Sequence, residues 1–229
     1  MATIATSAVD ASPTYPFAGR SRALPALLVT AGGALQVLEF AIAPHGLEVP
    51  DRLAWWVEHP TRIGIAQAAG ILALPFLVGG FLVMGRLCLR HSRRVTTAAL
   101  SLLVVAMIGL GVTQGLEMAS NWLAQAGHLE QATMVQETPD PGIAGITLMA
   151  MFMGGALIGM ILLNVALWRS RFVPRIVVPF TVAFMVLDFV VGWVLAAHLS
   201  VFVADLILAW ALVTGYRRND YNGQSVRAD

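Results

Sequence analysis

The chain contains no lysine: all fourteen of its basic residues are arginine. Schiff-base chemistry through a lysine amine, retinal binding included, is thereby excluded. Its one cysteine, Cys88, cannot close an intramolecular disulfide and reads as a packing residue. Charge of either sign is scarce. Only 12% of the 229 residues are charged, against roughly 25% in an ordinary soluble domain. The formal net charge of +1 is spread over short patches, so nucleic acid has no electrostatic footprint to use and is not expected as a partner. There is no Gly-x-Ser-x-Gly elbow and no glycine-rich phosphate loop with lysine, which leaves a serine hydrolase of that type and a nucleotide-driven motor unsupported. Of the histidines, His45, His59 and His128 fall between apolar runs and His91 falls among arginines. Bis-histidine haem ligation by facing helices is not provided for, and no cofactor is expected.

What is abundant is apolar. Hydrophobic residues make up 58% of the chain and the mean hydropathy is +0.76. The runs divide into six segments of spanning type at 23–43, 63–85, 95–118, 143–167, 176–197 and 200–216, between tails at 1–22 and 217–229. The expected fold is therefore all-α, a six-transmembrane-helix bundle whose solvent is the lipid bilayer. Ala41-Ile42-Ala43 imitates a signal-peptidase site, but the run before it is of spanning length, about 20 residues, and Glu39 sits badly beside such a cut.

Local signals refine the segments. Pro75 and the pair Gly79-Gly80 predict a kink or a close helix contact in the second. Asp140 followed by Pro141 predicts the start of the fourth. The last two should form an antiparallel hairpin turning around His198. Trp55-Trp56 predicts a short interfacial helix between Pro50 and His59 with its tryptophans at headgroup depth. The pairs Gly111/Gly115 and Gly155/Gly159 have the spacing that lets helices approach closely within the chain. Met149, Met151, Met153 and Met160 do not share one helix face and read as core and lipid filling.

Orientation follows from the arginines. Arg20, Arg22, Arg86, Arg90, Arg93, Arg94, Arg169, Arg171, Arg175, Arg217, Arg218 and Arg227 all fall on one side of this topology, and only Arg52 and Arg62 on the other. The positive-inside rule then places both termini in the cytoplasm.

Three short matches interrupt the apolar pattern: Gln36-Val37-Leu38-Glu39-Phe40, Gln114-Gly115-Leu116-Glu117-Met118 and Met185-Val186-Leu187-Asp188-Phe189. Each sets a carboxylate after a leucine and before a large apolar residue. A carboxylate at mid-membrane costs roughly 2.5–3.5 kcal/mol on insertion scales, so it usually faces a protein interior or a wet cavity. In the expected topology Glu39, Glu117 and Asp188 lie on helices of the same direction and can share one layer in the outer half of the bundle. Gln36 and Gln114 each precede an acid by three residues, hence on the same helix face, and Asn121 lies one turn beyond Glu117. Asp205, in the first two turns of the sixth segment, and His198, at its start, fall at the same side, seven residues apart and near one face.

Several readings of this cluster stay open. The acids can simply glue helices together through Gln36, Gln114 and Asn121. They can form a binding or transport site for a small cationic ligand or a proton, with Glu39, Glu117, Asp188, Asp205, Gln36 and Gln114 as ligand-binding residues. Glu39, Glu117, Asp188, Asp205 and His198 can be read as metal ligands, although one histidine among oxygen donors suits zinc catalysis poorly and there is no His-Glu-x-x-His. A non-catalytic accessory or sensor subunit, bound to a membrane-protein partner, is the alternative in which the acids are structural.

The turn Leu167-Trp168-Arg169-Ser170-Arg171-Phe172-Val173-Pro174-Arg175 resembles one found in small multi-pass bacterial membrane proteins grouped as a domain of unknown function. There an Arg-x-Arg-x-x-Pro-Arg turn joins two late helices. The resemblance covers at most residues 143–216. It implies a bacterial inner-membrane (plasma-membrane) protein and carries over no catalytic residue.

Overall fold

A computed structural model describes residues 16–17, 21–137 and 142–217. Within them every regular element is helical and there is no strand. The helices are α1 (Ala23–Ile42), α2 (Val49–Glu58), α3 (Pro60–Gln125), α4 (Leu129–Gln136), α5 (Gly142–Met149), α6 (Gly155–Arg169), α7 (Val177–Val186) and α8 (Val194–Thr214). A π-helical segment, Ala150–Gly154, joins α5 to α6, and another, Leu187–Val191, extends α7.

Local chemistry sets the boundaries. Helix α1 stops at Ala43, whose extended backbone precedes Pro44 as a residue before proline prefers. Pro50 and Pro60 stand in the first turns of α2 and α3, where a missing N–H costs nothing. Beyond α3, Gly127 takes a positive φ of 85° while His128 N–H donates back to the Leu123 carbonyl over 2.8 Å, which closes the helix end.

Helix α3 is 66 residues long and non-helical at one point, Ser92. Its two arms lie against each other: Asn121 Nδ2 donates to Gln67 Oε1 at 2.9 Å, and Gln67 Nε2 donates to the Glu117 carbonyl at 3.3 Å. The arginine-rich stretch expected as a loop between the second and third segments is thus helix on both sides of a single bend. The backbone remains helical through Pro75. Gly79 and Gly80 do make the expected close contact, against Leu28 of α1.

Helix α1 packs on α3 and α8, α6 on α3, and α7 on α8. Leu87, Leu103, Leu163, Leu167, Phe172, Leu208 and Leu212 form the main core, joined by the fully buried Cys88. The resemblance-bearing turn belongs to this core through Phe172 and Val173. Ser170 Oγ ties it down by donating to the Leu87 carbonyl at 2.9 Å.

The structure differs from expectation in three further places. The final turn falls at Gly192–Trp193 instead of around His198, because Gly192 supplies the left-handed φ of 76° that ends the π segment. His198 and Asp205 consequently stand fifth and twelfth in α8, not at its start. The helix α2 exists, but Trp56 is only 3% exposed, packed with Leu53, Ile63, Ala66, Ala124 and Ala132. It is a core residue, since the ends of α3 and the unanticipated α4 cover it. Finally, Gly115 meets nothing within 4 Å and Gly111 meets only Leu74, whereas Gly155 and Gly159 do seat α6 on α3. The Asp140-Pro141 helix start and the two tails lie wholly or mostly outside the described residues.

Four helices, α1, α3, the α5–α6 unit over 142–169, and α8, are long and apolar enough to cross a membrane by length and composition. Large apolar side chains such as Leu24, Leu72, Ile108, Ile158 and Trp210 point outward from them. This is the pattern of a multi-pass membrane protein, in which lipid replaces water at the surface.

Candidate functional site

A cavity of about 350 Å³ lies between α1, α3, α6, α7 and α8. That is within the ordinary size of small-molecule sites. All six residues singled out in the sequence, Gln36, Glu39, Gln114, Glu117, Asp188 and Asp205, line it, together with His198. Asn121 does not. It pairs instead with Gln67 and Gln125, bracing the two arms of α3.

The carboxylates are held in different ways. Glu39 is buried on α1 and accepts a hydrogen bond from Gln114 Nε2 at 2.7 Å. Its carboxylate lies over Gly70 of α3: a Cβ at that position would stand 2.5 Å from Oε1. Asp205, 4% exposed, lies over Gly33 of α1 in the same manner, with Oδ2 2.5 Å from where a Cβ would be. Among the described residues its carboxylate makes no hydrogen bond. Gln114 is 7% exposed and its Oε1 is buried with no partner among the described residues. Glu117 and Asp188 are half-buried.

Both π-helical segments contribute lining: Phe152 comes from the first, Asp188 and Phe189 from the second. An extra residue in a helical turn re-aims side chains, and such turns are common at functional sites. This explains how Asp188 reaches the cavity although α7 is short.

His198 is fixed on two sides. Its Nδ1 bonds the Val194 carbonyl at 2.8 Å, and because a carbonyl only accepts, Nδ1 carries the hydrogen. Phe40 packs against the ring at a 34° tilt with centroids 4.1 Å apart, and Phe184 meets it edge-on at 5.4 Å.

Comparison of the chain with protein-family models, with curated proteins and with solved structures finds no match.

Sequence reasoning missed a second polar pair in its wall. Asn164 Nδ2 donates to the Met160 carbonyl at 3.0 Å, and Thr181 Oγ1 donates to Asn164 Oδ1. An asparagine inside the apolar run of α6 was the available signal. Equally unread were Gly33 and Gly70, whose missing side chains make room for the acids.

No set of three or more His, Cys, Asp or Glu side chains among the described residues is grouped as a metal site. Glu39, Glu117, Asp188, Asp205 and His198 share a cavity without converging on one point. The rest of the lining, including Leu77, Phe81, Met107, Leu110, Phe152 and Phe184, is apolar and aromatic. Chemically the arrangement offers four carboxyl groups and further hydrogen-bond acceptors in an otherwise oily chamber.

Proposed function

We propose that this protein binds a small cationic or protonatable ligand in the cavity and carries it across a bacterial plasma membrane. One observation carries the reading: among the described residues, four carboxylates line the cavity and no arginine does. A protein that needed these acids only as glue would be expected to pair each of them. Yet Asp205, Glu117 and Asp188 have no side-chain hydrogen bond among the described residues, and only Glu39 has Gln114. Glu117 has the Arg52 guanidinium in its neighbourhood, but Asp188 and Asp205 have no such partner among the described residues; an unpaired carboxylate among apolar helices is costly, and a cationic occupant offsets that cost.

In this reading the two arms of α3 are separate crossings and α7 with its π extension is another, which makes six. Arg86, Arg90, Arg93, Arg94, Arg169, Arg171 and Arg175 then share one face, and both termini lie in the cytoplasm. Glu39, Glu117 and Asp188 then lie toward the outside, with Asp205, twelfth of the 21 residues of α8, near mid-span.

Thermal unfolding of the purified protein in nanodiscs, with a panel of amines and divalent cations, tests this. A ligand at about 100 times its Kd should stabilise the folded state by roughly 2.7 kcal/mol, and Asp205→Asn should lose most of that increment. If no cation shifts the unfolding of wild type, while Glu39→Gln, Glu117→Gln and Asp188→Asn are at least as stable, the acids are structural. The accessory-subunit reading then takes over.

A further inference from the structure

Resting on the cation-binding reading, the geometry points to a ligand class: we propose that the cavity takes an extended aliphatic diamine, linear polyamines included, with one ammonium at Glu39 and a second at Asp205. The two deeply buried carboxylates form separate stations. Asp205 is seated against Gly33, and Glu39 springs from the same helix six residues further on. At 1.5 Å per residue this is about 9 Å along α1. The neighbouring helix gives the same answer independently. Gly70 of α3 faces the Glu39 carboxylate, while Leu77 of α3 faces Gly32, the neighbour of Gly33. Seven residues separate Gly70 from Leu77, or about 10 Å.

Each station has acceptors to spare. An ammonium brings three N–H donors and no acceptor. At the first, Gln114 is 7% exposed and already donates to Glu39, which leaves its buried Oε1 without a partner. An ammonium there would satisfy the carboxylate and that amide oxygen together. At the second, the Asp205 carboxylate is 4% exposed and has no hydrogen bond among the described residues. Gln36, three residues from each end of the interval on α1, also lines the cavity and has no side-chain partner among the described residues. It provides an acceptor at mid-length.

The rest of the cavity wall suits methylenes. Leu77, Phe81, Met107 and Leu110 line the cavity with no charge among them. A bare divalent ion would need its ligands gathered at one point, which these acids are not. A monoamine would leave one buried carboxylate unanswered.

The test is a length series on the wild-type protein in nanodiscs: α,ω-diaminoalkanes of three to ten carbons, each beside the monoamine of equal carbon number, with Kd read by calorimetry. We expect affinity to peak at about six to eight carbons, where an extended chain of roughly 1.5 Å bonds spans the interval. At the peak the diamine should bind at least tenfold tighter than its monoamine. Asp205→Asn and Glu39→Gln should each remove that advantage, bringing the diamine to within about threefold of the monoamine. Should monoamines bind as well as diamines at every length, the two-station proposal fails while the cation site stands. Should no amine of either series bind, the site reading fails with it. The wild-type series decides the matter even if a variant does not fold.

Discussion

Along the seam between α6 and the second arm of α3, glycines face backbone; at the cavity's two deeply buried acids, Gly33 and Gly70 face carboxylates. A Cβ on Gly155 would stand 2.9 Å from the Leu102 carbonyl oxygen, and one on Gly109 would stand 3.0 Å from the Phe152 nitrogen. On Gly33 and Gly70 it would meet the tips of Asp205 and Glu39 instead, at 2.5 Å. In the seam the absent side chain lets two helix axes come together, which is the usual use of small residues between membrane helices. Around the cavity it leaves a recess for a polar group. The same residue type, in the same helical context, thus sets helix spacing in one region and side-chain position in the other. Backbone cannot yield without the helices parting, whereas a carboxylate can swing away. Substitutions in the two regions should therefore fail differently.

The largest expected effect belongs to the seam. Gly155→Ala drives a methyl into the Leu102 carbonyl, and overpacking of this sort costs about 1–3 kcal/mol. Reversible unfolding in mixed micelles should record that loss, with ligand binding by the remaining folded protein unchanged. If Gly155→Ala is as stable as wild type, α6 and α3 are not held as tightly as their spacing implies, and the contrast with the cavity disappears.

Next comes Gly70→Ala. The methyl displaces the Glu39 carboxylate and stretches its 2.7 Å bond to Gln114. Hydrogen bonds between membrane helices average about 0.6 kcal/mol, so stability should fall by less than about 1 kcal/mol. Affinity for an amine should fall about tenfold, because the acceptor itself has moved. A variant that loses stability but keeps its affinity would place Gly70 with the seam glycines and leave Glu39 as a packing residue.

How much of this was legible in the sequence depended on whether the signal was local. A carboxylate within an apolar run is an anomaly visible at one position, so Glu39, Glu117, Asp188 and Asp205 could be picked out at once. Their partners in the recesses could not. Nothing within α1 or α3 says that Gly33 lies under Asp205 or Gly70 under Glu39, since that depends on the relative height of two helices. The last turn was misplaced for a related reason. Apolar residues continue on both sides of Gly192–Trp193, so hydropathy gave no boundary, and the π segment Leu187–Val191 adds a residue that breaks the 3.6-residue period. Helix α4 has little sequence signal because Leu129–Gln136 is short and half polar, and its order comes from partners distant in sequence: Arg52 Nη2 donates to Gln136 Oε1 at 2.7 Å, and Gln136 Nε2 donates to Ser120 Oγ at 3.0 Å. Trp56 reads as interfacial from sequence alone because α4, whose Ala132 helps to bury it, carries little signal of its own.

The smallest effect is expected where the sequence pattern was most suggestive. Gly111 and Gly115 have the same four-residue spacing as Gly155 and Gly159, yet a Cβ on Gly115 would meet nothing within 4 Å. With no clash to offset it, Gly115→Ala gains helix propensity, at most about 1 kcal/mol. Unfolding should show an unchanged or slightly more stable protein with the same amine affinity, although Gly115 lies only two residues from Glu117. A loss of more than about 1 kcal/mol, accompanied by a change in particle mass in nanodiscs, would mean that this face of α3 meets a second chain. Gly115 would then be a seam glycine after all, with its seam lying between molecules instead of within one.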